Sequence, residues 1–264
     1  MLGSGTSHGI PVVGCSCAVC RSHDERDRRL RTSLYIKGSS GARIVIDTGP
    51  EFRLQAIRAQ IRHLDAVLLT HQHADHLHGL DDLRPLTWVR PLTVYGNELT
   101  IGEVKRRFAY IWKTTQQGGG KPRIDLNICN SSFDIKDLTI TPIPVKHGDL
   151  DILGWKIKEN KTEIAYITDC SNIYEESYGL LKNISVLIID ALRKHTHETH
   201  FNFEQAFDAI RKIDSVYLRK VFFTHISHEH SHAEITGICK QYTKKNNIHY
   251  PITLPSFDNL EIDV

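Results

Sequence analysis

The stretch LLTHQHADHLHGLDD, residues 68–82, packs four histidines and three aspartates behind a short apolar run. Neutral imidazole and carboxylate are ligands for divalent transition metals. The spacing HQHADH allows His71 and His73 to hold one ion while Asp75 and His76 reach a second. Two ions need more ligands than four. Candidates stand downstream, each closing an apolar run: His147 in IPVKHGD, Asp169 in AYITDCS and His225 in VFFTHISH. A carboxylate between two cations can bridge them and leave each ion a position for water or substrate.

A second constellation lies near the start, in GIPVVGCSCAVCRSHD, where Cys15, Cys17 and Cys20 form C-x-C-x2-C. A disulfide across positions two apart would be strained, whereas thiols at these spacings converge on one ion. Three sulfurs leave a tetrahedral zinc site one ligand short. The segment HISH supplies His228, three residues after His225, which would tie the amino-terminal loop to the strand end that carries the metal ligand. Cys129, Cys170 and Cys239 stand alone and read as inert buried thiols.

The elements that must position these residues are legible in outline. Short β-type runs recur at Ser33–Ile36, Arg43–Ile46, Ala66–Leu69, Leu92–Tyr95, Leu138–Pro142, Ile164–Thr168, Val186–Ile189 and Val221–Thr224, several of them ending at His or Asp. Apolar residues at helical spacing occupy Glu51–Gln60, Glu98–Trp112 and Phe203–Ile213. The mixture predicts a layered α/β architecture. His71, His73, Asp75 and His76 are expected in a loop after a buried strand. The stretch TTQQGGGKPRID reads as a mobile loop and not a boundary, so one domain is expected over residues 1–264.

Composition narrows the function classes. The 264 residues with 40% hydrophobic content suffice for a sizeable core. A net charge of +2, from 33 basic and 31 acidic residues, gives no strong pull towards nucleic acid or anionic membrane. No apolar run approaches the ~20 residues of a bilayer span, and no secretion signal is visible, so no membrane partner and a cytoplasmic location are expected. In that compartment thiols stay reduced, which favours metal over disulfide for the cysteines. The chain is compatible with a homodimer.

HxHxDH after a strand, followed by a His, an Asp and a His at strand ends, resembles the metallo-β-lactamase superfamily of hydrolases over nearly the whole chain. An amidohydrolase barrel also uses a strand-end His-x-His, but that pattern opens the chain and lacks the adjoining Asp-His. The resemblance implies a four-layered αββα sandwich with a dinuclear site along one edge of the two sheets. It assigns His71, His73 and His147 to one ion, Asp75, His76 and His225 to the other, and Asp169 to the bridge. Asp47, in IVIDTGP, matches an acidic residue that supports the ligands. GSGTSHGIPVVGCSCAVC, together with THQHADH and HISH, is similar to the phosphoribosyl cyclic phosphodiesterase branch with its Cys3His zinc. Ribonuclease Z and the pyrroloquinoline quinone biosynthesis protein B are more distant likenesses.

That branch implies metal-assisted hydrolysis of a small cyclic or linear phosphodiester, with two divalent catalytic ions (zinc, manganese or iron) and one structural zinc. Asp75 and His200 are the catalytic candidates, His200 as phosphate ligand or general acid. His195 and His197 have no assigned role, and His78, His230 and His232 are read as exposed or supporting residues. Two departures stand out. Only Met1 and Leu2 precede GSGTS where the family has a full strand, and Cys170 follows Asp169 where a small or hydroxyl residue is commoner. A non-hydrolytic metalloprotein of cofactor biosynthesis and a tRNA-processing endonuclease remain alternatives, the second without an evident arm to grasp tRNA.

Overall fold

The alternation of side chains along each buried strand dictates the architecture. In Ile44–Val45–Ile46, Ala66–Val67–Leu68, Leu187–Ile188–Ile189 and Val221–Phe222–Phe223, successive residues point to opposite faces, and all are apolar and buried. Sheets of this kind must be covered on both sides. The computed structural model, which describes residues 1–114, 120–246 and 251–264, shows how.

The first sheet contains β1 (Leu34–Lys37), β2 (Arg43–Ile46), β3 (Ala66–Leu68), β4 (Leu92–Gly96) and β5 (Ile124–Ile128) in that spatial order. The second contains β6 (Phe133–Ile135), β7 (Leu138–His147), β8 (Leu150–Glu159), β9 (Thr162–Ile167), β10 (Asn172–Ile173), β11 (Val186–Asp190), β12 (Lys220–Thr224) and β13 (Ile252–Pro255). Its path runs β10-β7-β8-β9-β11-β12-β13, with β6 paired to β7. From β9 through β11 and β12 to β13 the pairing is parallel, as it is from β2 to β5.

Among the described residues six α-helices flank the sheets: α1 (Phe52–Arg58), α2 (Ala74–Leu77), α3 (Glu98–Arg107), α4 (Glu175–Tyr178), α5 (Phe203–Lys212) and α6 (His232–Lys245). Three cores follow from the strand alternation. Ile44, Ile46, Leu68, Trp155, Tyr166, Ile188 and Phe222 meet between the sheets. Val45, Val67 and Val94 face outward onto Phe52, Leu77, Leu80 and Val104. Leu187, Ile189, Val221 and Phe223 face outward onto Phe207, Ile210 and Ile235. This is the αββα metallo-β-lactamase sandwich.

Several elements differ from the sequence expectation. Strand β7 continues five residues beyond Pro142 to His147, because its partner β8 pairs with it along its full length from Thr139 to His147. Helix α3 stops at Arg107, and Ala109–Ile111 tightens into a 3-10 turn. Strands β5, β8 and β13 and helix α6 were not anticipated, although Ser231 and Glu234 form the capping box that opens α6. Of the expected mobile loop, residues 115–119 lie outside the described residues and Ile124–Asp125 already belong to β5. Gly3 and Gly5, in GSGTS, form single bridges to Ser33, Arg31 and Ile226.

Candidate metal centre

The parallel strands aim their carboxyl ends at one edge of the sandwich, and the chemistry-bearing residues sit there. His71 follows β3, His147 ends β7, Asp169 follows β9, Asp190 ends β11 and His225 follows β12. His73 is the N-cap of α2, and Asp75 and His76 lie within it, so the expected loop is in fact one turn of helix. Asp47, Asp169 and His225 have φ of 62°, 53° and 57°. The left-handed region is uncommon outside glycine, though Asp and His enter it more readily than most. The turn it creates points each side chain back over the strand ends. Close backbone approach completes the frame: a Cβ on Gly49 would lie 2.3 Å from the Asp75 carbonyl oxygen.

Hydrogen bonds orient the imidazoles. Asp47 is fully enclosed; it accepts from the Thr70 amide at 2.8 Å and hydroxyl at 2.9 Å, and lies 2.8 Å from His76 Nδ1. With its proton given to Asp47, the Thr70 hydroxyl accepts from His71 Nδ1 at 3.0 Å. His147 Nδ1 donates to the Thr199 carbonyl at 2.8 Å. Each contact fixes the Nδ1 proton and leaves Nε2 as the free lone pair.

Two sets of ligand atoms result. His71, His73 and His147 form one, and Asp75, His76, Asp169 and His225 the other, the atoms of each within 4.8 Å of one another. Asp169 Oδ1 also lies 4.0 Å from His71 Nε2, which places this carboxylate between the sets. His76 Nε2 and both nitrogens of His225 are buried without a hydrogen-bond partner, although His76 Nε2 is 3.1 Å from Asp75 Oδ2 and 3.2 Å from Asp169 Oδ2. Enclosed nitrogen and oxygen atoms that converge in this way suit a cation. Burial opposes charge on His76, yet Asp169, Asp75 and Asp47 raise its imidazole well above the ordinary value, so a cation there would take the place of the Nε2 proton. Burial opposes charge on Asp169, yet His225, His76 and His71 hold its carboxyl well below the usual range. Burial likewise opposes charge on Asp75, and His76 and His225 overcome it in the same direction. His71, enclosed beside other imidazoles, is driven well below its ordinary value and so stays neutral, as a ligand must.

His200 forms the remaining wall. Its ring lies 4.7 Å from that of His147 and 4.6 Å, stacked, from that of His225. Asp190 Oδ2 is 3.0 Å from its Nδ1. Burial works against a charged His200, but the Asp190 carboxylate raises it to about 9. Sequence reasoning passed over Asp190, although it closes the apolar run VLIID as Asp169 closes its own. Thr199 was missed because its backbone oxygen does the work, and no residue type signals that. His195 and His197 are exposed, with the ring of His197 5.0 Å from that of His200. His78 is exposed and His230 half-buried against Phe203. His232 is not exposed: it is buried as the first residue of α6, its amide held by Asp27.

Cys15, Cys17, Cys20 and His228 converge separately. His228 Nδ1 lies 3.4, 3.5 and 3.5 Å from the three sulfurs. A tetrahedral zinc with Zn–S of about 2.3 Å and Zn–N of about 2.0 Å has S···N edges of about 3.5 Å, so this quartet fits it. The Cys20 amide donates to Cys17 Sγ at 3.4 Å and, with His228, brings that thiol down to about 6, while burial and the neighbouring thiols push Cys20 up to about 11. Cys129, Cys170 and Cys239 are buried and apart from the quartet.

The αββα sandwich and its strand-end cluster define the class, a protein of the metallo-β-lactamase fold. The beta-lactamase superfamily domain matches residues 42–226, and the chain belongs to that superfamily. It is similar to a crystal structure of a diphosphatase from the PhnP family, at 34% identity and a TM-score of 0.83 over 99% of this chain and 94% of that one. Zinc-bound PqqB from Methylobacterium extorquens shares the fold, with 19% identity and a TM-score of 0.77 over 100% and 98% of the two chains. An octanoyltransferase of Porphyromonas gingivalis is 42% identical over 233 residues, which are 86% of this chain and 45% of that protein. The chain spans about half the length, or less, of the curated relatives it matches, ribonucleases Z among them. Among the described residues no helix is long and apolar enough to cross a membrane.

Proposed function

We propose that this chain is a metal-dependent phosphodiesterase acting on a small cyclic or linear phosphodiester, with two catalytic divalent ions (zinc, manganese or iron) and one structural zinc. The observation that carries the reading is the junction of ligands and acid: atoms of His147, Asp169 and His200 lie within 4.8 Å of one another. A proton donor therefore stands at the edge of the metal centre, where a leaving group would depart.

His71, His73 and His147 would hold one ion, Asp75, His76 and His225 the other, with Asp169 between them. When bound, such ions supply an activated water at neutral pH and neutralise charge on phosphoryl oxygens. The chain's own groups do the rest. Asp47, Thr70 and the Thr199 carbonyl keep the imidazoles in the ligating tautomer. Asp75, the least enclosed carboxylate of the set at 14% side-chain exposure, would have an oxygen open to accept a hydrogen bond from a water at the site. With Nδ1 held by Asp190, His200 has one N–H to offer, at Nε2, and gives that proton to the departing alkoxide. A diester suits this geometry because it has one negative charge and an ester oxygen to protonate on leaving.

The name octanoyltransferase describes a protein more than twice the length of the stretch shared with it. The reading for this chain rests on its own ligand set. Its test is direct: supply zinc, manganese or iron(II), measure metal content, and assay a 2′,3′-cyclic nucleotide, a ribose cyclic phosphate, an aryl phosphodiester and a phosphomonoester. Diesters should be cleaved and the monoester poorly. No diester cleavage with any of the metals bound would turn the assignment to a non-hydrolytic metalloprotein.

A further inference from the structure

The loop that carries His200 is held at a place the sequence does not suggest. Leu192 N–H donates to the Phe201 carbonyl at 2.9 Å and Phe203 N–H to the Arg193 carbonyl at 3.0 Å, so residues 193–201 form a closed excursion from the body of the sheet. Its crest is exposed at His195, Thr196, His197 and Glu198. Its far side delivers the two groups the metal centre uses, the Thr199 carbonyl to His147 and the ring of His200.

Arg193 spans this excursion. One Nη donates to the Thr196 carbonyl at 3.3 Å and the other pairs with Glu229 at 2.9 Å. Glu229 follows His228, the histidine of the Cys3His quartet. The neighbouring Ser227 N–H donates to the Leu192 carbonyl at 2.9 Å, and Ser227 Oγ accepts from the Glu229 amide at 3.3 Å. Two of the contacts that hold this segment, Arg193 to Glu229 and the Leu192 carbonyl to Ser227, therefore land on residues 227–229, which the quartet holds from the other side, while Phe201 N–H donates to the Cys170 carbonyl at 2.6 Å. We propose that Arg193 and Glu229 are positioning residues that transmit the geometry of the Cys3His site to His200 and the Thr199 carbonyl. The quartet then has a task beyond stabilising its own loop: with zinc bound, residue 228 is fixed, Glu229 is presented to Arg193, and the His200 loop is pinned against the metal centre.

The catalytic part of the test rests on the phosphodiesterase reading; the structural part does not. Glu229→Gln and Arg193→Met are compared with wild type, Arg193→Lys and Cys17→Ser. Amide exchange is followed at Leu192 and Phe203, zinc content is measured, and kcat and KM are determined on one diester with an alkoxide leaving group and one with a nitrophenolate. In Glu229→Gln and Arg193→Met, zinc should be retained while the two amides exchange about fivefold faster, the shift expected on losing a partly exposed ion pair. Turnover of the alkoxide substrate should drop about tenfold at unchanged KM, as misplacement of an acid predicts, and the nitrophenyl diester should be spared. Arg193→Lys should recover most of the loss, and Cys17→Ser should reproduce the faster exchange. Unchanged exchange at both amides in Glu229→Gln and Arg193→Met would overturn the proposal. So would equal losses on the two substrates, since a general loss of structure does not discriminate leaving groups. Failure of wild type to cleave any diester would count against the assigned activity, and the exchange data would still decide the brace.

Discussion

Asp190 Oδ2 lies 3.0 Å from His200 Nδ1 and 2.8 Å from the Cys170 amide nitrogen, so one carboxylate oxygen both closes the turn after β9 and aims the imidazole. The other oxygen is buried without a hydrogen bond, 3.9 Å from His225 Nδ1. Asp190 thus joins the acid, the turn that presents Asp169, and the neighbourhood of a metal ligand.

Removal of His200 should discriminate between leaving groups. His200→Ala is expected to slow alkoxide-leaving diesters by roughly 10²–10⁴-fold, and to spare an aryl diester whose phenolate leaves unprotonated. Asp190→Asn should show the same selectivity, because the amide cannot hold the imidazolium. Parallel kinetics on both substrate types check this; comparable losses on each would assign His200 to binding.

The metals should separate by role. Elemental analysis of metal-replete protein should find about three ions per chain, from the two strand-end sets and the quartet. Cys17→Ser should lower the melting temperature by several degrees through loss of a closed site. Asp169→Ala should abolish turnover with the fold retained. A single ion per replete chain, or equal unfolding of both variants, would defeat the division.

Acid should weaken the fold partly through His232. Burial, helped by Arg26 and Arg29, lowers this imidazole from 6.5 to about 4. As pH falls through 6.5 the unfolded chain takes up a proton that the native state refuses, so the contribution is complete above 6.5 and is lost progressively down to about 4. His232→Gln should reduce the drop in melting temperature between pH 7.5 and pH 5. Thermal melts at the two pH values, with metal supplied, would show an unchanged drop if His232 titrated normally.

Gly148, just past β7, has φ of 58°, and a Cβ there would lie 2.8 Å from Thr199 Cγ2. Gly148→Ala should cost about 1–2 kcal/mol for the left-handed backbone alone. It should also push Thr199 from His147, so activity should fall further than stability. Denaturant unfolding beside turnover measurements tests the pair; a variant as active and stable as wild type would contradict it.

What one sequence settled was local. Ligand types recur where apolar strands end, because a buried strand can turn polar only as it leaves the sheet; this exposed His71, Asp169 and His225, after parallel strands, and His147, at the end of the antiparallel β7, to reading. The cysteine spacing is short enough that chain connectivity alone brings the thiols together. The resemblance carried by HQHADH and the cysteine loop then supplied the sandwich. What only the tertiary structure decided were contacts between distant segments. The Thr199 carbonyl meets His147 across 52 residues, and Glu229 meets Arg193 across 36. Asp190 closes an apolar run as Asp169 does, but its contacts with His200 and the Cys170 amide exist only once β9 and β11 lie side by side. Backbone oxygens carry no residue identity, and a surface ion pair has no periodicity, so neither leaves a mark in composition or spacing. Their placement follows from sheet order and from the left-handed turns at Asp169 and His225, which are properties of the folded chain.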